Sequence, residues 1–139
     1  MESKIYVDTN VFIDLMDSTR PFAVGSMALI RASIVDGKML YINSDTVTNA
    51  CYIMSRKKAY TEKELLVLMQ KIVSLFSVVG VKDKEVMKSL SICADEGTKF
   101  RDYEDALQYV CAKKVEADLI VTNDKGFVGL DIELRGTKL

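Results

Sequence analysis

Short apolar runs alternate along this chain with longer stretches in which apolar residues recur every three or four positions. The first pattern reads as buried strand, the second as one-sided helix. Ile5-Tyr6-Val7 is the first strand and stops at Asp8. Asp8-Thr9-Asn10 then offers three residues that favour a helix start, ahead of a short helix over Val11 to Met16. Past a polar loop from Asp17 to Pro21, the spacing of Met27, Ile30, Ile34 and Val35 predicts a helix from Phe22 to Val35, ended by Asp36-Gly37. Met39 to Ile42 is the second strand. Ser44-Asp45 is expected to cap a helix through Val47, Cys51, Ile53 and Met54 to about Ala59. Thr61 and Glu64 have the spacing of a capping box before a helix carrying Leu65, Leu68, Met69, Ile72 and Val73. Phe76 to Val81 is the third strand, and a helix from Lys82 to about Glu96 is closed by Gly97. Asp102 caps the next helix with Asp105 at its third position, and Ala106, Val110 and Ala112 face inward. Leu119 to Thr122 is the fourth strand, followed by an Asn123-Asp124-Lys125-Gly126 turn. Ile132 and Leu134 suggest a short fifth strand.

Strands that alternate with helices and are apolar throughout belong to a parallel sheet covered on both faces. The expected fold class is therefore α/β: a three-layer α/β/α arrangement around a parallel sheet of four or five short strands. The length, 139 residues, suits one domain over 1–139, and one proline with seven glycines leaves little room for a flexible joint.

Composition narrows the chemistry. About half of the residues are apolar, and the formal charge is −1, so bulk positive charge is not available to hold a nucleic acid. Any contact with a polyanion has to run through local patches or a metal. No run approaches the roughly 18 apolar residues that span a membrane, and Met-Glu-Ser-Lys-Ile-Tyr-Val-Asp lacks the apolar core of a signal peptide. The expectation is a cytoplasmic protein without membrane contact. Cys51, Cys93 and Cys111 are odd in number and far apart, fitting neither a disulfide framework nor a zinc spacing, and they read as buried thiols. There is no histidine at all. That excludes serine–histidine hydrolases and histidine-based nucleases and removes the commonest zinc ligand.

The aspartates are what remain. In an open parallel sheet, sites form outside the carboxyl ends of the strands. Asp8 ends the first strand and Asp124 follows the fourth. Asp102 and Asp105 open the helix before that fourth strand, and right-handed crossovers bring helix starts to the edge where strands end. Each has a plain structural role available: Asp8 and Asp102 as helix caps, Asp105 as a partner of the helix dipole, Asp124 as a turn residue. All four on one edge, however, would repel one another, and a divalent cation removes that conflict. Oxygen-only ligands suit magnesium or manganese. Such an ion orients a phosphodiester and activates water, which is a route to nucleic-acid hydrolysis without histidine.

These residues resemble a known family. Val7-Asp8-Thr9-Asn10-Val11 is similar to the opening motif of the PIN domain. Asp102-Tyr103-Glu104-Asp105-Ala106-Leu107 resembles its third acidic motif, and Val121-Thr122-Asn123-Asp124-Lys125-Gly126-Phe127 its fourth. Order and spacing fit nearly the whole chain, and the likeness is greatest to the short bacterial type that includes VapC-like toxins. The resemblance implies a magnesium- or manganese-dependent ribonuclease, RNA as substrate, a homodimer, and a small antitoxin protein as partner. It implies that Asp8, Asp105 and Asp124 are the acids of the metal site, with Thr9, Asn10 and Thr122 supporting them and Asp102 an N-cap or outer acid. One departure stands out. Where the family usually carries a glutamate in the helix after the second strand, this chain has Asn49, neutral and with one ligating oxygen. Asp45, one turn earlier on the same helical face, is the candidate to compensate, although as a cap it needs no such role.

Other polar residues have weaker claims. Arg56-Lys57-Lys58 and Lys113-Lys114 suit helix ends, where cations meet the dipole, as well as they suit an RNA backbone. Lys125 could meet a phosphate, and Tyr103 and Phe127 could stack on a base or fill core. The apolar positions of the 61–75 helix serve either a core or a dimer face. Two functions remain: a metal-dependent endoribonuclease acting as a toxin, or a PIN scaffold, inactivated at Asn49, that binds RNA or a protein. A phosphoacceptor receiver domain would need an acceptor aspartate ending a middle strand, and Phe76 to Val81 supplies none.

Overall fold

The computed structural model describes residues 2–128 and 130–139. Those residues form five strands and six helices: β1 (Lys4–Val7), α1 (Thr9–Asp14), α2 (Ala23–Val35), β2 (Met39–Asn43), α3 (Ser44–Lys57), α4 (Glu62–Val73), β3 (Ser77–Val79), α5 (Asp83–Ala94), α6 (Tyr103–Lys114), β4 (Leu119–Val121) and β5 (Glu133–Arg135). All pairings are parallel, in the order β3-β2-β1-β4-β5. The expected fifth strand is present, with Ile120 opposite Leu134.

Because side chains alternate across a strand, the central strands feed two cores. Ile5, Val7, Leu40, Ile42, Leu119 and Val121 pack under α1 to α4, against Phe12, Ile30, Met54 and Leu65. Tyr6, Tyr41, Val79 and Ile120 face the other way, under α5 and α6, against Leu107, Tyr109 and Cys111. This is the three-layer α/β/α arrangement. The α4 helix gives Leu65, Met69 and Ile72 to the core, whereas Leu66 and Val67 stay exposed.

Local signals worked where a side chain meets its own backbone. Thr61 and Glu64 form the capping box, and Gly37 ends α2 with φ of +73°. The start of α3 differs from expectation. Ser44 and Asp45 lie inside its first turn, and the cap is Asn43, whose side chain accepts from Thr46 N at 3.0 Å. Strand β2 runs straight into α3, so its last residue takes the capping position. The α5 helix stops at Ala94 because Asp95 turns extended, two residues short of the expected end. Of the three free cysteines, Cys111 alone is fully buried; Cys51 and Cys93 are half-buried, a correction to the reading of all three as buried thiols.

Candidate functional site

The strand order reverses direction at β1 and β4, which lie side by side although most of the chain separates them. The crevice outside the carboxyl ends at such a point is where α/β sheets build their sites. Asp8 occupies it. Its backbone N donates to Val121 O at 2.9 Å, tying the end of β1 to the end of β4. Although Asp8 stands at the N-cap of α1, its side chain makes no cap bond. The carboxylate, 2% exposed, is used elsewhere: Oδ1 accepts from Gln108 Nε2 at 2.8 Å, and Oδ2 from Thr122 Oγ1 at 2.7 Å. Burial pushes its pKa up, the bonds from Thr122 and Gln108 pull it back, and the charge of Asp124 pushes it up again. Plain capping therefore does not explain this aspartate.

Asp105 enters from α6. Asp102 Oδ1 accepts from its backbone N at 3.1 Å, so Asp102 is the N-cap expected of it. Asp105 is half-buried, and its pKa is pushed up to about 8. Burial is the main cause, followed by the neighbouring carboxyl of Asp124, then the charges of Asp102, Asp124 and Asp8. Asp124 is exposed in the turn after β4. Its N donates to Thr122 Oγ1 at 3.1 Å and its Oδ1 accepts from Gly126 N at 2.8 Å. Thr122 thus holds Asp8 and Asp124 at once.

Thr9 acts indirectly: its N donates to Gln108 Oε1 at 3.0 Å, and its hydroxyl pairs with Thr46 at 3.0 Å. Asn10 accepts from Arg20 Nη2 at 3.3 Å, and among the described residues it makes no hydrogen bond to an acid of the site. Asn49 lines a hollow of about 220 Å³ with Asp45, Tyr103 and Glu104. Phe127, by contrast, is buried in an edge-on contact with Phe100 and fills core. Four of the five residues in the two basic runs have partners: Lys57 meets Asp17, Lys113 meets Asp131, Lys114 meets Glu85, and Arg56 lies over Tyr52.

Two residues of this site escaped the sequence reading. Gln108 is 1% exposed and bridges Asp8 to Thr9. The clue to it was an amide inside the apolar run from Ala106 to Ala112, which has to find partners when buried. Glu104 lies in the third motif itself. Although its side chain is exposed, the lost hydration on its protein-facing side and the charges of Asp8 and Asp102 push its pKa up, while the neighbouring side chains of Thr9 and Asn49 pull it down. It therefore brings a carboxyl to the neutral Asn49.

The donor set is all oxygen, which fits magnesium or manganese and not zinc. Asp8 retains free lone pairs on both oxygens beside its two hydrogen bonds. Burial first, and then the neighbouring carboxylates, hold Asp105 toward its neutral form, and a cation beside it would favour the charged one. Among the described residues, no three His, Cys, Asp or Glu side chains are already gathered to hold a metal ion. The acids converge on one edge without closing a ligand shell.

The family model of the PIN domain matches residues 5–133. Ribonuclease VapC1 of Aquifex aeolicus (strain VF5) is 35% identical over 136 residues, spanning 97% of this chain and 91% of the relative. The solved structure of VapBC2 from Rickettsia felis, bound to a DNA fragment from their promoter, superposes with a TM-score of 0.71 at 14% identity and covers 97% of this chain and 99% of that one. Mycobacterium tuberculosis VapC20, described as a sarcin-ricin loop cleaving toxin, gives 0.69 at 13% identity, over 91% and 98%. FitAcB from Neisseria gonorrhoeae gives 0.67 at 20% identity, over 94% and 96%. At these identities the solved structures speak for the fold alone.

Proposed function

Because this chain belongs to the PIN domain family, we propose that it is a VapC-type endoribonuclease, the toxin of a toxin–antitoxin pair, working as one PIN unit over 1–139. The observation that carries the reading is the approach of Asp8, Asp105 and Asp124 from three separate segments, with Asp105 pushed up to a pKa of about 8 by burial first and then by the neighbouring acids. The name of the 35% identical relative supports ribonuclease activity. The likeness of the fold to VapBC2 supports a small antitoxin partner.

Asp8, Asp105 and Asp124 would hold magnesium or manganese. The bound ion would supply charge stabilisation on the phosphodiester and a lowered pKa for an attacking water. The chain's own work is positioning. Gln108 and Thr122 lock both oxygens of Asp8, so this acid presents a fixed edge. Thr9 fixes Gln108 in turn: only one orientation of the amide lets its oxygen accept from Thr9 N while its nitrogen donates to Asp8. Glu104 brings a carboxyl beside Asn49, where the family usually carries an acid. Asp102 holds the first turn of α6 and with it Asp105. The exposed Leu66 and Val67 on α4 are our candidate face for a homodimer. Among the described residues no helix is long and apolar enough to cross a membrane, and we place the protein in the cytoplasm, with its RNA.

The test is cleavage of a pool of transfer and ribosomal RNA with manganese, with magnesium and with chelator. Cutting that needs the ion and disappears in Asp8→Asn supports the nuclease. Asn49 and the open arrangement of the acids favour a second reading, a PIN scaffold that binds RNA or a protein without turnover. That reading expects RNA binding without cutting, and cutting restored by Asn49→Glu.

A further inference from the structure

Residues 136–139 cross helix α2 at Gly25. A Cβ there would meet the Thr137 carbonyl oxygen at 1.9 Å, so the close passage of the tail depends on this glycine. The passage buries a polar chain: Asp14 is 4% exposed, Ser26 0% and Thr137 3%. Its proton directions are fixed from one end, because a carboxylate only accepts. Ser26 Oγ donates to Asp14 Oδ2 at 2.6 Å. The Thr137 hydroxyl, 2.9 Å from Ser26 Oγ, must then donate to it. That leaves Thr137 Oγ1 to accept from Asn123 Nδ2 at 2.8 Å, while Thr137 N donates back to Asn123 Oδ1 at 2.8 Å. Both ends of the Asn123 amide are held, and the next residue is Asp124. At the far end Arg20 joins Asp14, through Nε at 2.7 Å, to Asn10 in the first motif.

We propose that Thr137 is a positioning residue for the metal site: through Asn123 it bolts the turn carrying Asp124 to the α1–α2 frame that follows Asp8. This inference rests on the reading of Asp8, Asp105 and Asp124 as the metal-holding acids. The chain is continuous, its side-chain donors run one way from Asn123 through Thr137 and Ser26 to Asp14, and its two ends lie in the two motifs that flank the crevice. Thr137 thereby adds to Thr122 a second hold on the turn that carries Asp124.

The experiment uses the full chain with Thr137→Val, Thr137→Ser and Ser26→Ala. Three quantities are read: hydrogen exchange across residues 122–126, manganese affinity by electron paramagnetic resonance of the free ion, and Tm. Thr137→Val is expected to speed exchange at 122–126 with β1 protection unchanged, and to weaken manganese binding about tenfold, as outer partners of metal ligands do. Thr137→Ser, which keeps the hydroxyl, restores both. Ser26→Ala, which removes one link only, gives the same local change if Thr137→Val does not fold. Unchanged exchange and affinity in Thr137→Val and Ser26→Ala overturn the proposal, as does faster exchange spread over the whole sheet. A parent protein that binds no manganese sinks the nuclease reading instead, and local exchange then decides the bolt by itself.

Discussion

At the scale of single residues, the site is governed by what holds Asp8. A buried carboxylate that makes no cap bond needs other donors, and Gln108 and Thr122 supply them. Gln108→Met keeps the length and apolar fit of the side chain but strands Thr9 N and one oxygen of Asp8. Loss of a partner at a buried polar group costs about 1–3 kcal/mol, and urea unfolding of Gln108→Met is expected to show a loss in that range. No measurable loss would mean that water replaces the amide. Glu104 leads to a different expectation. It is exposed and joins no fold-holding hydrogen bond among the described residues, so Glu104→Gln should leave Tm unmoved while manganese binding weakens. Titration calorimetry of Glu104→Gln beside Asn49→Glu separates the cases. If Glu104 stands in for the missing acid, Asn49→Glu recovers affinity lost in Glu104→Gln; no recovery in the double variant removes Glu104 from the site.

At the scale of elements, the junction of β2 and α3 is the clearest instance of one residue serving two layers. Asn43 caps α3 and also donates to the buried hydroxyl of Tyr6 at 2.8 Å. Asn43→Ala removes both and is expected to cost about 2 kcal/mol or more, the sum of a lost cap and an unpaired buried hydroxyl. Asp45→Asn, at the residue that sequence spacing favours as part of the cap, should change the urea midpoint little, because Asp45 offers the helix a favourable charge and no cap bond. Equal losses in the two variants would contradict the assignment of the cap to Asn43. The spacing was ambiguous here because Asn43, Ser44 and Asp45 are all good cap residues in a row. Only the end of the strand decides which of them is first in line.

At the scale of the whole molecule, distant segments are tied by charge as well as by packing. The bond from Lys57 is the first cause holding the pKa of Asp17 at about 2, followed by Thr19; the pair joins the loop after α1 to the end of α3. A folded pKa below the unfolded 3.8 means that this contribution is complete above pH of about 4 and is lost as pH falls toward 2. The drop in urea midpoint between about pH 5 and about pH 2 should therefore be smaller in Asp17→Asn than in the parent. Manganese, if it binds the folded chain alone, should raise stability by about 2.7 kcal/mol at a hundredfold excess over Kd, with no rise in Asp8→Asn; calorimetry with and without the ion checks this. The motif acids were legible because strand ends and helix starts are local signals, written in a few neighbouring residues. So were the alternation of strand and helix, the Thr61–Glu64 box and the stop at Gly37. Gln108 and Thr137 were not, since their partners lie far along the chain: Gln108 and Asp8 are 100 residues apart, Ser26 and Thr137 are 111. Periodicity says which side of an element is apolar, and so it determined the α/β class; with the handedness of the crossovers it also placed on one edge the strand ends and helix starts that carry the acids. Which polar side chain meets which across that edge depends on how the layers stack and cross. That decision belonged to the tertiary structure, because burial makes each donor find its acceptor in space and not in sequence.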